Sequence, residues 1–272
     1  LIAPVMLRRN RSIVSEQLPA RTNTQIDVSM TNRQRDLHDG AMNTAGQLAD
    51  IARKRPLTPS ERNRLMSALQ QARMACDAAG LVDKETQGSP KLDELRQLLT
   101  ELCTENGRKV VVFSQWKGMT NMVEALAREL KIGAVHLHGG VPTAKRGELM
   151  DRFAQDNEVA LFISTDAGGT GLNLQSASVL INMDVPWNPA VLEQRNARIH
   201  RLGQNQNVQI ILMVAGNSYE ERVLELLNSK QNLFDNVVAS DASEDVVGVT
   251  RKALDTLVRE LQQKDPIQES AN

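Results

Sequence analysis

Short apolar runs alternate with amphipathic stretches from Lys109 to Val214. The runs KVVVF (109–113), GAVHLH (133–138), VALFIS (159–164), SVLINMD (178–184) and VQIILMV (208–214) have the length and continuity of strands buried on both faces. Between and after them, Met119–Leu130, Thr143–Ala154, Ala190–Leu202 and Ser218–Asn232 read as helices. Strands alternating with helices of this size predict right-handed crossovers and a parallel sheet with helices on both faces, an α/β fold.

Ahead of the sheet, Ser89 and Pro90 predict a helix start, with Ser as N-cap and Pro at the first helical position. Leu92, Leu95, Leu98, Leu99 and Leu102 continue that helix to about Cys103 with one face for the core. Glu61–Ala79 also reads as a helix, whereas the rest of residues 1–80 has weaker periodicity. Beyond Val238 a polar, acidic link leads to a helix predicted over Thr250–Gln263.

Composition narrows the function. The chain has 272 residues, 41% hydrophobic and 24% charged, enough for one sizeable core or a core with an appendage. Only 3% are aromatic, so the core is aliphatic. A net charge of −1 excludes a polycation that grips nucleic acid by charge alone, and any such contact must come from local patches. Arginines crowd the first fifth (Arg8, Arg9, Arg11, Arg21, Arg33, Arg35, Arg53, Arg55), and acids weight the tail. Cys76 and Cys103 fit neither a CxxC nor a zinc spacing and cannot form a disulfide framework, so a reducing, intracellular compartment is expected. No apolar stretch reaches membrane-spanning length, and Leu1–Asn10 is no signal peptide. Leu rather than Met at position 1 suggests a piece of a longer polypeptide.

In a parallel sheet, ligands gather at the carboxyl ends of the strands. There the chain places Thr165-Asp166-Ala167-Gly168-Gly169-Thr170-Gly171-Leu172-Asn173-Leu174, whose glycines let the backbone approach a phosphate or a neighbouring domain. A plain structural turn is the competing reading. After the next strand comes Asp184-Val185-Pro186-Trp187-Asn188-Pro189, then Gln194, Arg198 and Arg201 at i, i+4 and i+7. On one helix those three form a stripe of an amide and two guanidiniums, suited to a dense anion such as phosphate. A solvated basic face is the alternative.

The strings EQRNARIHRLGQ (193–204), STDAGGTGLNL (164–174), DVPWNP (184–189) and VVFSQW (111–116) resemble the second-lobe motifs of the Swi/Snf family in helicase superfamily two. HLHGGVPTAKRGELMDRF (136–153) resembles the family's next segment, residues 4–39 resemble the bridge between its two lobes, and RMACDAAGLVD (73–83) resembles its Cys-containing helix end. The collinear likeness covers most of residues 1–238. It implies an interlobe bridge and helical segment over 1–85, a RecA-like lobe over 86–238 and an acidic, helical extension over 239–272. By this resemblance Arg198 and Arg201 are arginine fingers, Gln194, Gly171 and Asn173 serve ATP, and Ser114, Gln115, Thr165 and Trp187 serve DNA. The resemblance also implies ATP and Mg2+ as cofactors, held mainly by an N-terminal lobe of the same polypeptide. Duplex DNA is the implied partner, with no membrane and a monomeric state. The family usually has an acidic residue shortly before the first finger and Ala or Cys before the His, whereas Asn196 and Ile199 stand nearby here. His200 is expected to pack or cap.

No GxxxxGK[ST] loop occurs in the chain, nor an acidic pair placed to hold magnesium. The expectation is therefore a motor-completing lobe, unable to hydrolyse ATP alone, in an ATP-driven duplex-DNA translocase. Cytoplasm or nucleoid is its expected place in a bacterium, the nucleus in a eukaryote. A lobe of a strand-separating helicase is the nearest alternative. From other classes come a dinucleotide-binding domain, which the position of AGGTG after a middle strand disfavours, and a partner-binding module with no motor role.

Overall fold

The computed structural model describes residues 18–168 and 172–229. The helix expected over Thr250–Gln263 and the extension over 239–272 lie outside the described residues, as does Gly171. A six-stranded sheet has the order β1-β6-β5-β2-β4-β3, with β1 Arg21–Val28, β2 Val110–Ser114, β3 Gly133–Leu137, β4 Val159–Thr165, β5 Val179–Asn182 and β6 Val208–Ala215. Ladders β2–β4, β2–β5, β3–β4 and β5–β6 are parallel. The Val208 N–H donates to the Ala20 carbonyl at 2.8 Å and the Gly216 N–H to the Val28 carbonyl at 3.0 Å. Both bonds advance in the same sense, so β1 also runs parallel to β6.

The most apolar runs occupy the centre. Every residue of β2 and β5 is buried, whereas β1 at the edge has only half-buried and exposed positions. RTNTQIDV is too polar to stand out as a strand, which is why the apolar pattern missed it. The helices are α1 Asn32–Lys54, α2 Pro59–Asp77, α3 Ala79–Asp83, α4 Pro90–Leu99, α5 Lys117–Glu129, α6 Thr143–Gln155, α7 Pro189–Asn196 and α8 Tyr219–Ser229. A π-helical turn, Thr100–Glu105, follows α4. The Leu92 N–H donates to Ser89 Oγ at 3.2 Å, so Ser89 caps α4 as expected. Capping boxes open α1 (Thr31 with Gln34) and α2 (Thr58 with Glu61). Helix α1 is a difference from the sequence reading: its buried stripe consists of small and polar residues, Gln34, His38, Ala41 and Ala45, with only Leu48 as a large apolar member. No described helix is long and apolar enough to cross a membrane.

The chain divides into two compact units. The first contains residues up to Gln25, Arg96–Asn182 and Glu193–Leu212, and the second contains Ile26–Leu95, Met183–Leu192 and the residues from Met213 onward. The core of the first joins Val111, Phe113, Leu137, Phe162, Leu180 and Ile210, with Phe153 edge-on to Phe162 at 5.2 Å between centroids. In the second, α1 and α2 pack as a hairpin, and Gln34 Nε2 at the start of α1 donates to the Ala75 carbonyl at the end of α2 at 2.8 Å. Leu48, Leu65 and Leu69 are all at most 3% exposed there. Each such side chain contributes about 1.5–3 kcal/mol on burial.

Candidate functional site

Strand β4 delivers Thr165 into a tight turn. Gly168 N–H donates to the Thr165 carbonyl at 3.0 Å and to its Oγ1 at 3.3 Å, so the hydroxyl is buried and engaged. A Cβ at Gly168 would come within 2.7 Å of the Leu137 carbonyl oxygen, so only glycine lets the turn lie this close to the end of β3. Further along, Leu172 and Leu174 are buried while Asn173 between them is exposed. Alternating anchors and a polar side chain turned outward suit a loop that offers Asn173 to a ligand.

Helix α7 is shorter than the sequence pattern predicts, and Gln194, Arg198 and Arg201 do not share one helical stripe. The helix ends at Asn196, and Arg198 N–H bonds to the Arg195 carbonyl three residues back at 3.0 Å. The cause lies in competing acceptor use. The Arg198 carbonyl accepts from Leu174 N–H at 3.0 Å, and Gln204 Nε2 donates to the carbonyls of Ile199 at 3.2 Å and Ala177 at 2.9 Å. Gly203 then adopts φ +94°, a left-handed turn that ends any helical continuation. The two arginines thus project from a folded turn tied to the Leu172–Leu174 loop. Arg201 and Gln194 are exposed, and Arg198 is half-buried. Burial, then the neighbouring Arg201 charge, lowers the Arg198 pKa from its ordinary value. Two neighbouring guanidiniums present planar forks of donors suited to phosphate oxygens.

Beside them stands an ion pair that the sequence reading missed. Arg195 is 2% exposed, and its Nε and Nη2 donate to the two Asp166 oxygens at 2.6 and 2.8 Å. Its Nη1 lies 3.4 Å from Asn182 Oδ1, and its guanidinium is 5.9 Å from the Phe113 ring centroid. The pair fastens the Thr165–Gly168 turn to the last turn of α7. Two opposite charges 29 positions apart in a polar stretch carry no periodic signal. His200 is buried, and its Nε2 donates to the Pro19 carbonyl at 3.0 Å, so its role in the structure is packing and hydrogen bonding.

Ser114, at the end of β2, is fully buried, and its Oγ accepts from Trp116 N–H at 3.1 Å. Gln115 is half-buried at the mouth of the same turn. Trp187 belongs to the second unit. There it is half-buried, 5.0 Å from the Tyr219 ring and 5.4 Å from the Arg73 guanidinium, both centroid distances. Among the described residues no group of three or more His, Cys, Asp or Glu gathers to hold a metal ion.

A parallel sheet with a glycine turn after β4 and an arginine turn behind α7 is the architecture of a RecA-like helicase C-terminal lobe. Residues 90–203 match the family described as helicase conserved C-terminal domain. A putative ATP-dependent helicase/translocase of Bacillus subtilis, YwqA, is 30% identical over 251 residues, which is 89% of this chain and 27% of that protein. A putative SWI/SNF-related matrix-associated actin-dependent regulator of chromatin, subfamily A member 3-like 1, of Arabidopsis thaliana is 38% identical over 195 residues, 68% of this chain and 22% of that protein. Among solved structures, the Sulfolobus solfataricus SWI2/SNF2 ATPase core in complex with dsDNA aligns with a TM-score of 0.70 at 24% identity, covering 88% of this chain and 51% of that one. Residues 90–203 thus form a helicase conserved C-terminal domain, and the relatives of the chain include ATP-dependent helicases and SWI/SNF-related proteins. It spans about a quarter of the length of the curated relatives it matches.

Proposed function

We propose that this chain is the second lobe of an ATP-driven motor that translocates on duplex DNA and remodels protein–DNA complexes within the cell. The Leu174–Arg198 backbone bond carries this reading, because it ties the arginine turn to the loop offering Asn173. In a motor, one side of such a joint senses nucleotide and the other senses DNA, so a change at either is transmitted mechanically. Arg198 and Arg201 are the arginine fingers, held for a γ-phosphate gripped by a first lobe that also holds Mg2+. Five donors in a planar fork, with no acceptor, fit phosphate oxygens, and bound ATP with its metal supplies the phosphoryl group to be transferred. Gln194, Asn173 and Gly171 serve the same nucleotide. Ser114, Gln115, Thr165 and Trp187 serve the DNA track.

The names of the relatives, helicase/translocase and ATP-dependent helicase among them, support this class of motor, as does the fold of a Swi2/Snf2 core captured on duplex DNA. A strand-separating lobe is the second reading, favoured by the word helicase in those names. The test measures phosphate release with and without duplex DNA, by this chain alone and by a polypeptide joining it to its Walker-containing first lobe. The expected result is background turnover alone and DNA-stimulated turnover when joined. Robust turnover by the isolated chain would overturn the reading. Displacement of a third-strand oligonucleotide without unwinding of the duplex separates translocation from strand separation.

A further inference from the structure

The second unit buries an ionic cluster that arginine fingers and phosphate contacts leave unexplained. Lys91 is 1% exposed, and its ammonium donates at 2.7 Å to each of Asp77 Oδ1, Glu220 Oε2 and the Met183 carbonyl. All three of its protons are thereby used. Glu220, 2% exposed, also accepts from the Ala215 N–H at 2.9 Å and the Val185 N–H at 3.3 Å. Arg73, 3% exposed, donates to the Val185 carbonyl at 3.3 Å and lies over Trp187. Asp184 and Tyr219 complete the buried surroundings.

Stability does not account for such a cluster. Desolvating several charges costs about what their attraction returns, and well-packed apolar residues often do as well or better. What the bonds have in common is their target. Three backbone groups of the segment entering the DVPWNP loop, the Met183 carbonyl and both polar groups of Val185, are held by Lys91, Arg73 and Glu220 from α4, α2 and α8. This segment follows β5 and has no ladder partner there, so its polar groups need fixed partners to stay buried. Burial works against the Lys91 charge, yet the facing Asp77 and Glu220 carboxylates outweigh it and raise the ammonium pKa above its ordinary value. The cation therefore persists at any working pH.

We propose that Lys91, Glu220 and Arg73 are positioning residues that fix the Met183–Val185 backbone and so set the orientation of Trp187 two residues on. The Trp187 ring packs near both Arg73 and Tyr219, the residue next to Glu220, so Arg73 both holds the loop backbone and contacts the ring. What Trp187 then serves, coupling to the DNA track, rests on the motor reading above. The positioning itself does not.

The chain contains two tryptophans, so Trp116→Phe leaves Trp187 as the sole indole reporter. In that background the full 272-residue chain is compared with Lys91→Met and Glu220→Gln by emission maximum, acrylamide quenching and far-UV circular dichroism. With helix content unchanged, the quenching constant is expected to rise about twofold and emission to shift red as the loop opens locally. If either folded variant loses unfolding midpoint but keeps parental Trp187 quenching and emission, the cluster is core packing only and the proposal fails. Should Lys91→Met not fold, Glu220→Gln decides by the same criterion, because it keeps the side-chain shape and one N–H acceptor. In the joined two-lobe protein, Lys91→Met should lower turnover at saturating DNA several-fold and leave DNA-free turnover near normal. Absence of any DNA stimulation in the parent would defeat the motor reading and leave the quenching result standing.

Discussion

Arg195 and Asp166 meet through two parallel hydrogen bonds of 2.6 and 2.8 Å, one from each of two guanidinium nitrogens to each carboxylate oxygen. The partners differ in exposure: the Arg195 side chain is 2% exposed and that of Asp166 is 31% exposed. Removing the acid strands a buried cation, whereas removing the base leaves an acid that water can reach. Asp166→Ala should therefore cost about 3 kcal/mol, the lower end for a broken buried pair. Arg195→Met, which keeps the stem over Phe113, should cost about 1 kcal/mol, because solvent screens the remaining carboxylate. Urea midpoints of the two variants check the order. The reverse order would mean that the contacts of the Arg195 guanidinium with Asn182 and the Phe113 ring, not its pairing with Asp166, hold the turn.

The finger assignment predicts a kinetic signature in the joined two-lobe protein. Arg198→Ala or Arg201→Ala should each lower turnover by roughly a thousandfold, as for fingers in other phosphoryl-transfer enzymes, with far less change in nucleotide affinity. Lysine should rescue poorly, since a point charge lacks the planar fork. Arg222, exposed on α8, is the control, and Arg222→Ala should be near normal. Near-normal DNA-stimulated rates in both finger variants would reduce the arginine turn to a solvated basic surface.

Much of this architecture is legible in the sequence. Val110–Phe113, Leu161–Ile163 and Val179–Ile181 are apolar on both faces because they lie inside the sheet, and such runs announce themselves. The edge strand Arg21–Val28 and helix α1 did not, since an edge strand is half-wetted and α1 buries mainly alanines and polar side chains. Gln194, Arg198 and Arg201 read as one helical stripe in the sequence, whereas the helix ends at Asn196 and leaves the two arginines on a turn. Helical spacing ignores the Gln175 and Gln204 side chains, which compete for the carbonyls of Ile199, Arg201 and Leu202. The Lys91 cluster draws on residues 73, 77, 91 and 220, brought together only by tertiary packing, and no local pattern encodes that.

Both thiols should be chemically silent in the folded chain. Cys76 and Cys103 are buried, and burial pushes each thiol pKa up to about 12. At about pH 8 a thiolate fraction on the order of one in ten thousand follows, so neither should react with an aromatic disulfide reagent on the minute scale. Both should react at once in denaturant. Prompt native reaction of Cys103 would show that the π-helical turn carrying it opens readily.

The last prediction concerns His38. Its Nε2 accepts from the Tyr219 N–H at 3.0 Å, so the other nitrogen carries the proton and donates to Asp39 Oδ1 at 2.7 Å. A second proton on Nε2 would set donor against donor. Burial lowers the His38 pKa below its ordinary 6.5, and the Arg35 and Arg222 charges reinforce this, while Asp39 opposes it without prevailing. Between the depressed folded value and the ordinary unfolded one, the unfolded chain takes up a proton that the folded chain refuses. Stability from this histidine is thus complete above about pH 6.5 and drains away as pH falls through the folded pKa. His136, also lowered by burial, adds to the same slope. His38→Gln removes the titration, so its stability deficit against the parent should be largest near pH 7.5 and shrink steadily toward about pH 5.5. Urea midpoints across that range measure the difference. A deficit independent of pH would show that the His38 ring contributes by packing alone.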